Sequence, residues 1–468
     1  MADRKTDCPQ VWGTRIHNCL TPPRLFLFFG IIFGMVWSII TPPFQAPDED
    51  RHFCRAYQLS EGRFFPVDFD NTQGDSLPIS AIETIEQVNP GMRYDSWGAR
   101  QELTRVWHYL SLPLEPEKKA FHAFPTHVIY PPLAYLPQII GIFIGKSCGA
   151  SPLLLMYFSR WCNLIFWLIM IHAALRLMPA GRWILLIVAL MPMSLFLGAS
   201  LNQDAVINSL VFLALAFVLN RARTPGRLAH QDLLVIALLL MALACSKPGY
   251  AIFSLIFLLL PVDKMPSRRF YIPTALFLFT SGYGLALFWN RLIRANLNWF
   301  EPFASYPDQL QLVLHNPLQF LKAVAFSLWN YKGFYLRSHI GQLGWLDTVL
   351  PRHVILTYLF MLVGVAVLER GATVSGRQKG IMALIIAGLT LQTLLALYLV
   401  CSPVGSLQVV GMQGRYLIPV APMFWLLWQN RRVGRPNFAW NTAAKPAIVL
   451  TLLLTLAETT RVLLQRYY

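Results

Sequence analysis

Asp48, Glu49 and Asp50 follow a prolyl turn, Thr41-Pro42-Pro43-Phe44-Gln45-Ala46-Pro47, which comes directly after the first long apolar run of the chain. Acids at a membrane boundary are costly and mark function more often than they mark accident. Prolines fix φ and forbid continuation of a helix, so these carboxylates sit on a rigid turn where hydrocarbon gives way to water. A carboxylate in that position can take the proton of an attacking hydroxyl. Asp48, with Glu49 beside it, is the candidate base, and the neighbouring Asp50 keeps the register open. Asn202-Gln203-Asp204, Lys247 and Gly411-Met412-Gln413-Gly414-Arg415-Tyr416 fall at boundaries of the same kind. Lysine offers a point charge and arginine a bidentate fork to phosphate, so the set describes a site for a phosphate-bearing lipid.

Each residue has a plainer reading. An acid at a helix end can simply cap it, and Lys247 and Arg415 can snorkel to headgroups. His52, four residues after Asp48, could share a helical face with it and add to a metal site, but neither spacing is a zinc signature. Seven cysteines lack any CxxC spacing; Cys54, Cys148 and Cys401 fall outside the membrane on the map below and could pair there. No glycine-rich phosphate loop and no Ser-His-Asp signature is present.

The elements that must position these groups are membrane helices. The chain has 468 residues, 55% hydrophobic and 13% charged, with a mean hydropathy of +0.47. Apolar runs at 25–40, 161–175, 183–199, 205–219, 233–245, 250–260, 271–289, 353–368, 380–400, 416–428 and 447–457 predict an all-α polytopic protein of about eleven spans. The net charge of +16 would suggest nucleic acid in a soluble protein, but here the basic residues sit in short loops, where they set orientation.

One segment decides the topology. If 130–144 crossed the membrane, fifteen basic residues would be exported: Arg176, Arg182, Arg221, Arg223, Arg227, Lys264, Arg268, Arg269, Arg370, Arg377, Lys379, Arg431, Arg432, Arg435 and Lys445. Laid along the surface instead, the segment leaves all fifteen inside with Arg4, Lys5, Arg15 and Arg24. Pro131, Pro132 and Pro137 also oppose a straight span. The map therefore has a cytoplasmic tail at 1–23 and a transmembrane domain at 24–430, with external loops at 41–159, 290–352 and 401–415. A cytoplasmic loop and a last span follow at 431–468. The runs at 233–245 and 250–260 are too short to span about 30 Å, and predict a hairpin whose tip around Lys247 stays below the outer surface.

Several separated motifs carry a resemblance: PPFQAPDEDRHFCRAYQLSEG from Pro42, YPPLAYLPQ from Tyr130, SLNQDA from Ser200, IGQLGWLD at 340–347 and GMQGRYLIPVAP at 411–422. From about Arg24 to Trp428 the chain resembles the bacterial multi-pass family filed as domain of unknown function twenty-one forty-two. That family in turn resembles the GT-C superfamily of membrane glycosyltransferases, with an acidic motif in the first external loop and juxtamembrane helices beneath it. The resemblance implies a polyprenyl-phosphate-linked sugar as donor, and a cell-envelope glycan or lipid as acceptor outside the bacterial cytoplasmic membrane. It makes Asp48 the base with Glu49 beside it, and Arg415, Lys247 and Tyr416 the contacts of the donor phosphate. Asp204, His52, Gln413 and Tyr130 become acceptor-side or supporting contacts, and a divalent cation, Mg or Mn, is a candidate cofactor. Asp50-Arg51 departs from the family pattern. The competing expectation is a transporter or flippase for a lipid-linked or anionic substrate, which would place its ionisable residues at mid-depth and show internal repeats.

Overall fold

A computed structural model describes residues 21–93, 98–247, 249–293, 304–369, 373–429 and 443–468. In chain order its helices begin with α1 (Pro22–Ile40) and α2 (Glu49–Ser60). A small unit follows, called external after its expected orientation and built from β1 (Val67–Phe69), β2 (Thr72–Pro78), α3 (Ile79–Gln87), α4 (Leu103–Ser111), β3 (Lys119–Ala123) and α5 (Pro125–Val128). Then come α6 (Leu136–Ser147), α7 (Pro152–Leu177), α8 (Arg182–Ala189), α9 (Pro192–Gly198), α10 (Gln203–Arg223), α11 (His230–Ala244) and α12 (Tyr271–Ile293). The remainder is α13 (Tyr306–His315), α14 (Pro317–Asn330), α15 (Lys332–Ile340), the hairpin β4 (Gln342–Leu343) and β5 (Thr348–Val349), α16 (Arg352–Leu368), α17 (Gly376–Cys401), α18 (Ala421–Leu427) and α19 (Lys445–Tyr467).

Six of these helices are long and apolar enough to cross a membrane: Pro22–Ile40, Pro152–Leu177, Gln203–Arg223, Arg268–Ile293, Gly376–Cys401 and Lys445–Tyr467. Several of the other apolar runs counted toward about eleven spans are not single long helices. The run at 183–199 is two short helices, because Pro192 has no N–H to continue α8 and opens α9 instead. The run at 416–428 is a 3₁₀ segment, Gly414–Val420, followed by α18. The run at 250–260 is also 3₁₀, Tyr250–Leu259, and it enters from Gly249 at φ 91, a left-handed conformation that glycine adopts at no steric cost. The tail 1–20 and the loop residues 430–442 lie outside the described residues.

The segment at 130–144 does not span. It is a 3₁₀ turn, Pro132–Tyr135, followed by α6, whose 12 residues reach only about 18 Å. α6 folds back antiparallel along the first half of α7. A side chain at Gly141 would put Cβ 2.6 Å from the Phe158 backbone, so only glycine lets the two helices approach this closely. The return of the chain fixes the sides. Near the end of α1, the carbonyls of Ser38 and Thr41 accept from Arg160 of α7, whereas His172 near the other end of α7 contacts the Pro23 carbonyl at the start of α1. The stretch from 41 to 151 therefore begins and ends on one side of the bundle.

At the opposite end, basic side chains hold loop and helix-terminal carbonyls together. Arg223 donates to Thr373, Lys264 to Thr224 and Gly226, Arg377 to Leu258 and Leu260, and Lys379 to Leu427 and Gln429. Cations satisfying the last carbonyls of helices complement their dipoles.

The external unit is a three-stranded antiparallel sheet, β1-β2-β3. Asp70 and Asn71 turn β1 into β2 with positive φ at both positions, the residues a two-residue hairpin favours. Its core of Phe53, Tyr57, Leu77, Phe124 and Tyr135 continues into Leu153 and Met156 of α7, which joins the unit to the bundle. Cys54 is buried and Cys148 exposed, and neither forms a disulfide.

Candidate functional site

α1 ends at the prolyl turn and α2 starts at Asp48, whose φ of 58° places a residue with a Cβ in the left-handed region. Strain of this kind costs about 1–3 kcal/mol and collects at functional sites. It also answers the plainer reading of Asp48, because in this conformation the side chain makes no cap to α2. The carboxylate is instead 3.1 Å from Nη2 of Arg415. A second pair lies alongside, with Nζ of Lys247 3.1 Å from the carboxylate of Asp204. The two pairs belong to one cluster: Lys247 lies 5.5 Å from the ring centre of Tyr416, 5.6 Å from that of Tyr130 and 5.7 Å from that of Tyr250. The sequence motifs at 48, 130, 204, 247 and 415 therefore meet at one end of the bundle.

Arg415 reaches the site because Gly414 lets its loop press against α15. A Cβ at Gly414 would lie 1.9 Å from the Tyr335 carbonyl oxygen, and the Gly414 amide donates to Ser338 Oγ at 2.8 Å. Only 5% of Arg415 is exposed, yet its Nε–H has no hydrogen-bond partner among the described residues, and the same holds for the buried Oε1 of Gln413. Donor and acceptor capacity is thus unspent where the motif was expected to bind.

Glu49 requires a correction. Its carboxylate is fully buried and grips Arg160 at 2.7 and 2.5 Å, while Oε1 also accepts from the Leu201 amide at 2.8 Å. Arg160 spends its five N–H donors on Glu49 and on the Ser38, Thr41 and Pro42 carbonyls. With its carboxylate enclosed and paired, Glu49 ties α1, α7 and the turn before α10 into one frame. Asn202 finishes the frame, donating to the Pro47 carbonyl and capping Asp204 through Oδ1, while Gln138 and Asn163 hold the Asn202 carbonyl. Asp48, by contrast, has 27% of its side chain exposed, which makes it the reachable acid of the pair.

Asp50, the other register, points elsewhere. It pairs with Arg93 at 3.2 Å, and Arg93 lies 3.7 Å over the ring of Trp345, whose indole donates to the Phe44 carbonyl. Burial pushes the Asp50 carboxyl above its ordinary range despite Arg93 and Arg51. Burial acts the same way on Asp48, but there Arg415, the His127 and His52 rings in their acid-pH cationic forms, and Arg51 outweigh it and hold the carboxyl well below its ordinary range.

His52 faces Tyr135, with Nδ1 2.8 Å from the hydroxyl, and its ring meets that of His127 edge-on at 4.4 Å. Burial lowers the His52 pKa to about 4 against the pull of Asp48 and Asp204, and lowers that of His127 as well. Both imidazoles are neutral at pH 7. Burial raises the Tyr130 hydroxyl to about 12.

Sequence reasoning missed His127, Tyr135, Tyr250 and Arg160. Tyr135 lies inside the motif quoted from Tyr130 and His127 just before it, so both were within reach of it. Arg160 carried its own signal, a lone arginine inside an apolar run. Among the described residues no group of three or more His, Cys, Asp or Glu side chains is placed to hold a metal ion. With Asp48 and Asp204 each paired to a cation, the residues present do not fit the divalent cation considered above, and no step is assigned to one.

No curated protein and no solved structure matches the chain. A family model does match, described as Predicted membrane protein (DUF2142) and covering residues 29–424, and the chain belongs to that family of membrane proteins.

Proposed function

We propose that this protein is a GT-C-type glycosyltransferase of the bacterial cytoplasmic membrane, moving a sugar from a polyprenyl-phosphate donor to a cell-envelope glycan or lipid at the outer face. The observation that carries the reading is the uncapped, strained and partly exposed Asp48 against an arginine whose Nε–H is unspent. In the reaction Asp48 takes the proton of the acceptor hydroxyl as its oxygen attacks the anomeric carbon. The bond from that carbon to the phosphate oxygen breaks, and the polyprenyl phosphate leaves with the bonding pair. Arg415 and Lys247 stabilise the charge that develops there.

The ion pairs give the donor a second effect. Arg415 holds Asp48 deprotonated but weakly basic; a phosphate that draws the guanidinium to itself restores the basicity of the carboxylate. Base strength then rises only when donor is in place. Tyr416, Tyr130 and Gln413 supply further contacts, and the neutral His52 can accept or donate to sugar hydroxyls. Asp48 follows the last turn of α1 and does not interrupt it, which favours chemistry at a face over passage through the bundle.

The test is sugar analysis of surface glycans from a deletion strain complemented with the wild-type gene or with Asp48→Asn. The expected result is loss of one sugar in the deletion strain, restored by wild type and not by Asp48→Asn at equal membrane abundance. Unchanged glycans in the deletion strain, or full rescue by Asp48→Asn, would overturn the reading.

A further inference from the structure

α13 and α14 form a helical hairpin between the long helices α12 and α17, joined at Asn316, whose side chain caps α14 by accepting from Gln319 N–H. α14 reads PLQFLKAVAFSLWN and buries one stripe only, Phe320, Ala323 and Ser327. Its remaining faces are apolar and uncovered. Leu314 at the end of α13 and Leu318, Leu321, Phe326 and Trp329 on α14 are all exposed, Trp329 at 71%. A helix apolar on nearly every side does not belong in water.

The depth of the hairpin indicates what covers it. α17 is 26 residues long, about 39 Å against roughly 30 Å of hydrocarbon, and its basic end at Arg377 and Lys379 lies among the loop-bound cations opposite the site. The buried stripe of α14 packs on the other end, with Phe320 5.3 Å from the ring of Tyr398. The hairpin therefore lies at the level where α17 is expected to leave the hydrocarbon. Charge fits the same depth. Lys322 is exposed among the leucines, and Lys332 extends over Trp329 with Nζ 3.6 Å from the ring centre, an arrangement suited to lipid phosphates at the interface.

We infer that α13–α14 is a monotopic hairpin embedded in the leaflet at the site end, its exposed faces covered by phospholipid acyl chains and its lysines set at the headgroups. The hairpin carries the loop that ends in Arg415. Gln309 accepts from the Gly405 amide at 2.9 Å, Gln319 donates to the Gly405 carbonyl at 3.0 Å, and Ser327 Oγ accepts from the Val409 amide at 2.8 Å. A lipid-anchored support thus fixes the height of a phosphate-seeking guanidinium. The inference needs a membrane but not the transfer reaction, so it stands or falls independently of the proposed activity.

The test places an environment-sensitive thiol label at Leu318→Cys or Trp329→Cys, in a background with the seven native cysteines replaced, in nanodiscs of phosphatidylcholine and phosphatidylglycerol. A label at Lys118→Cys, 68% exposed on the external unit, serves as the aqueous reference. Nitroxide placed high on the acyl chain should quench the labels at 318 and 329 about threefold or more above the reference, and aqueous iodide should quench them correspondingly less. Iodide quenching equal to that at 118 would place the hairpin in water and overturn the inference. Protection from both quenchers, with cross-links between labelled copies, would mean that protein covers the face and would overturn it as well.

Discussion

Asp48 and Glu49 are neighbours in sequence and opposites in use. One turn of backbone sends Glu49 into a sealed grip on Arg160 and leaves Asp48 strained, uncapped and reachable. Asp48→Asn keeps size and hydrogen bonding but cannot take a proton, so it should insert normally and lose roughly 10²-fold or more in transfer rate. Activity with the donor, measured in purified membranes, checks this. If Asp48→Asn were active and Asp50→Asn inactive, the base would be Asp50. His52 gives a pH prediction at the same scale. Its pKa is depressed to about 4 in the folded protein against about 6.5 unfolded, so the unfolded chain binds the extra proton between those values. Stability should fall as pH drops from 6.5 to 4 and gain no further slope from this group below 4. Asp48, held below its ordinary range in the folded protein, adds its own loss of stability only from about pH 5 downward, so the comparison with His52→Gln is read between pH 6.5 and 5. Thermal unfolding of His52→Gln should therefore show a shallower decline over that range than wild type; parallel curves would remove His52 from the account.

At the scale of elements, the site is held by contacts between segments far apart in sequence, and that is where the sequence became hard to read. The prolyl turn, the Asn202 turn and the Gly414 loop were legible because proline, glycine and charge at apolar boundaries announce themselves locally. That Asp48 would face Arg415 and Asp204 would face Lys247 was not, since each pair closes only when helices pack. The same holds for Glu49, whose role depends on an arginine 111 residues away. Span lengths misled for a related reason: hydropathy at 183–199 and 416–428 registers burial, and a helix broken at Pro192 or wound as 3₁₀ is as apolar as a straight one. The frame makes a prediction of its own. Glu49→Gln leaves Arg160 buried without its charge partner and should cost about 3–5 kcal/mol, whereas Glu49→Met with Arg160→Met, which removes both charges, should cost less than the single change. Unfolding in detergent reads both. Gly414→Ala acts on the other side of the site. Its Cβ cannot fit 1.9 Å from the Tyr335 carbonyl, so the loop must lift from α15, costing about 1–3 kcal/mol in detergent unfolding and, on the proposed function, weakening donor use in the same direction as the predicted effect of Arg415→Ala.

For the whole molecule, the two ends of the bundle have opposite chemistry. At one end basic side chains clasp loop carbonyls; at the other two acids, each paired to a cation, sit beneath a folded external unit. The positive-inside rule predicts that such a body sits with its clasped end in the cytoplasm, and the proposed outward-facing site rests on that expectation. Hydropathy could not decide the matter at 130–144, where an apolar stretch long enough to confuse a window turned out to be a 12-residue helix lying against α7. Charge argued against a crossing, because one extra span would have exported fifteen basic residues. The orientation is open to direct measurement with a membrane-impermeant maleimide on whole cells with permeable outer layers. In a background with the seven native cysteines replaced, Lys118→Cys on the external unit should label without lysis, and Arg227→Cys, on the exposed loop after α10, should label only after the cytoplasmic membrane is broken. The reverse pattern would place the Asp48 cluster in the cytoplasm and remove an outward-facing transferase from consideration. Labelling of both positions in intact cells would mean that the bundle does not divide the two ends at all.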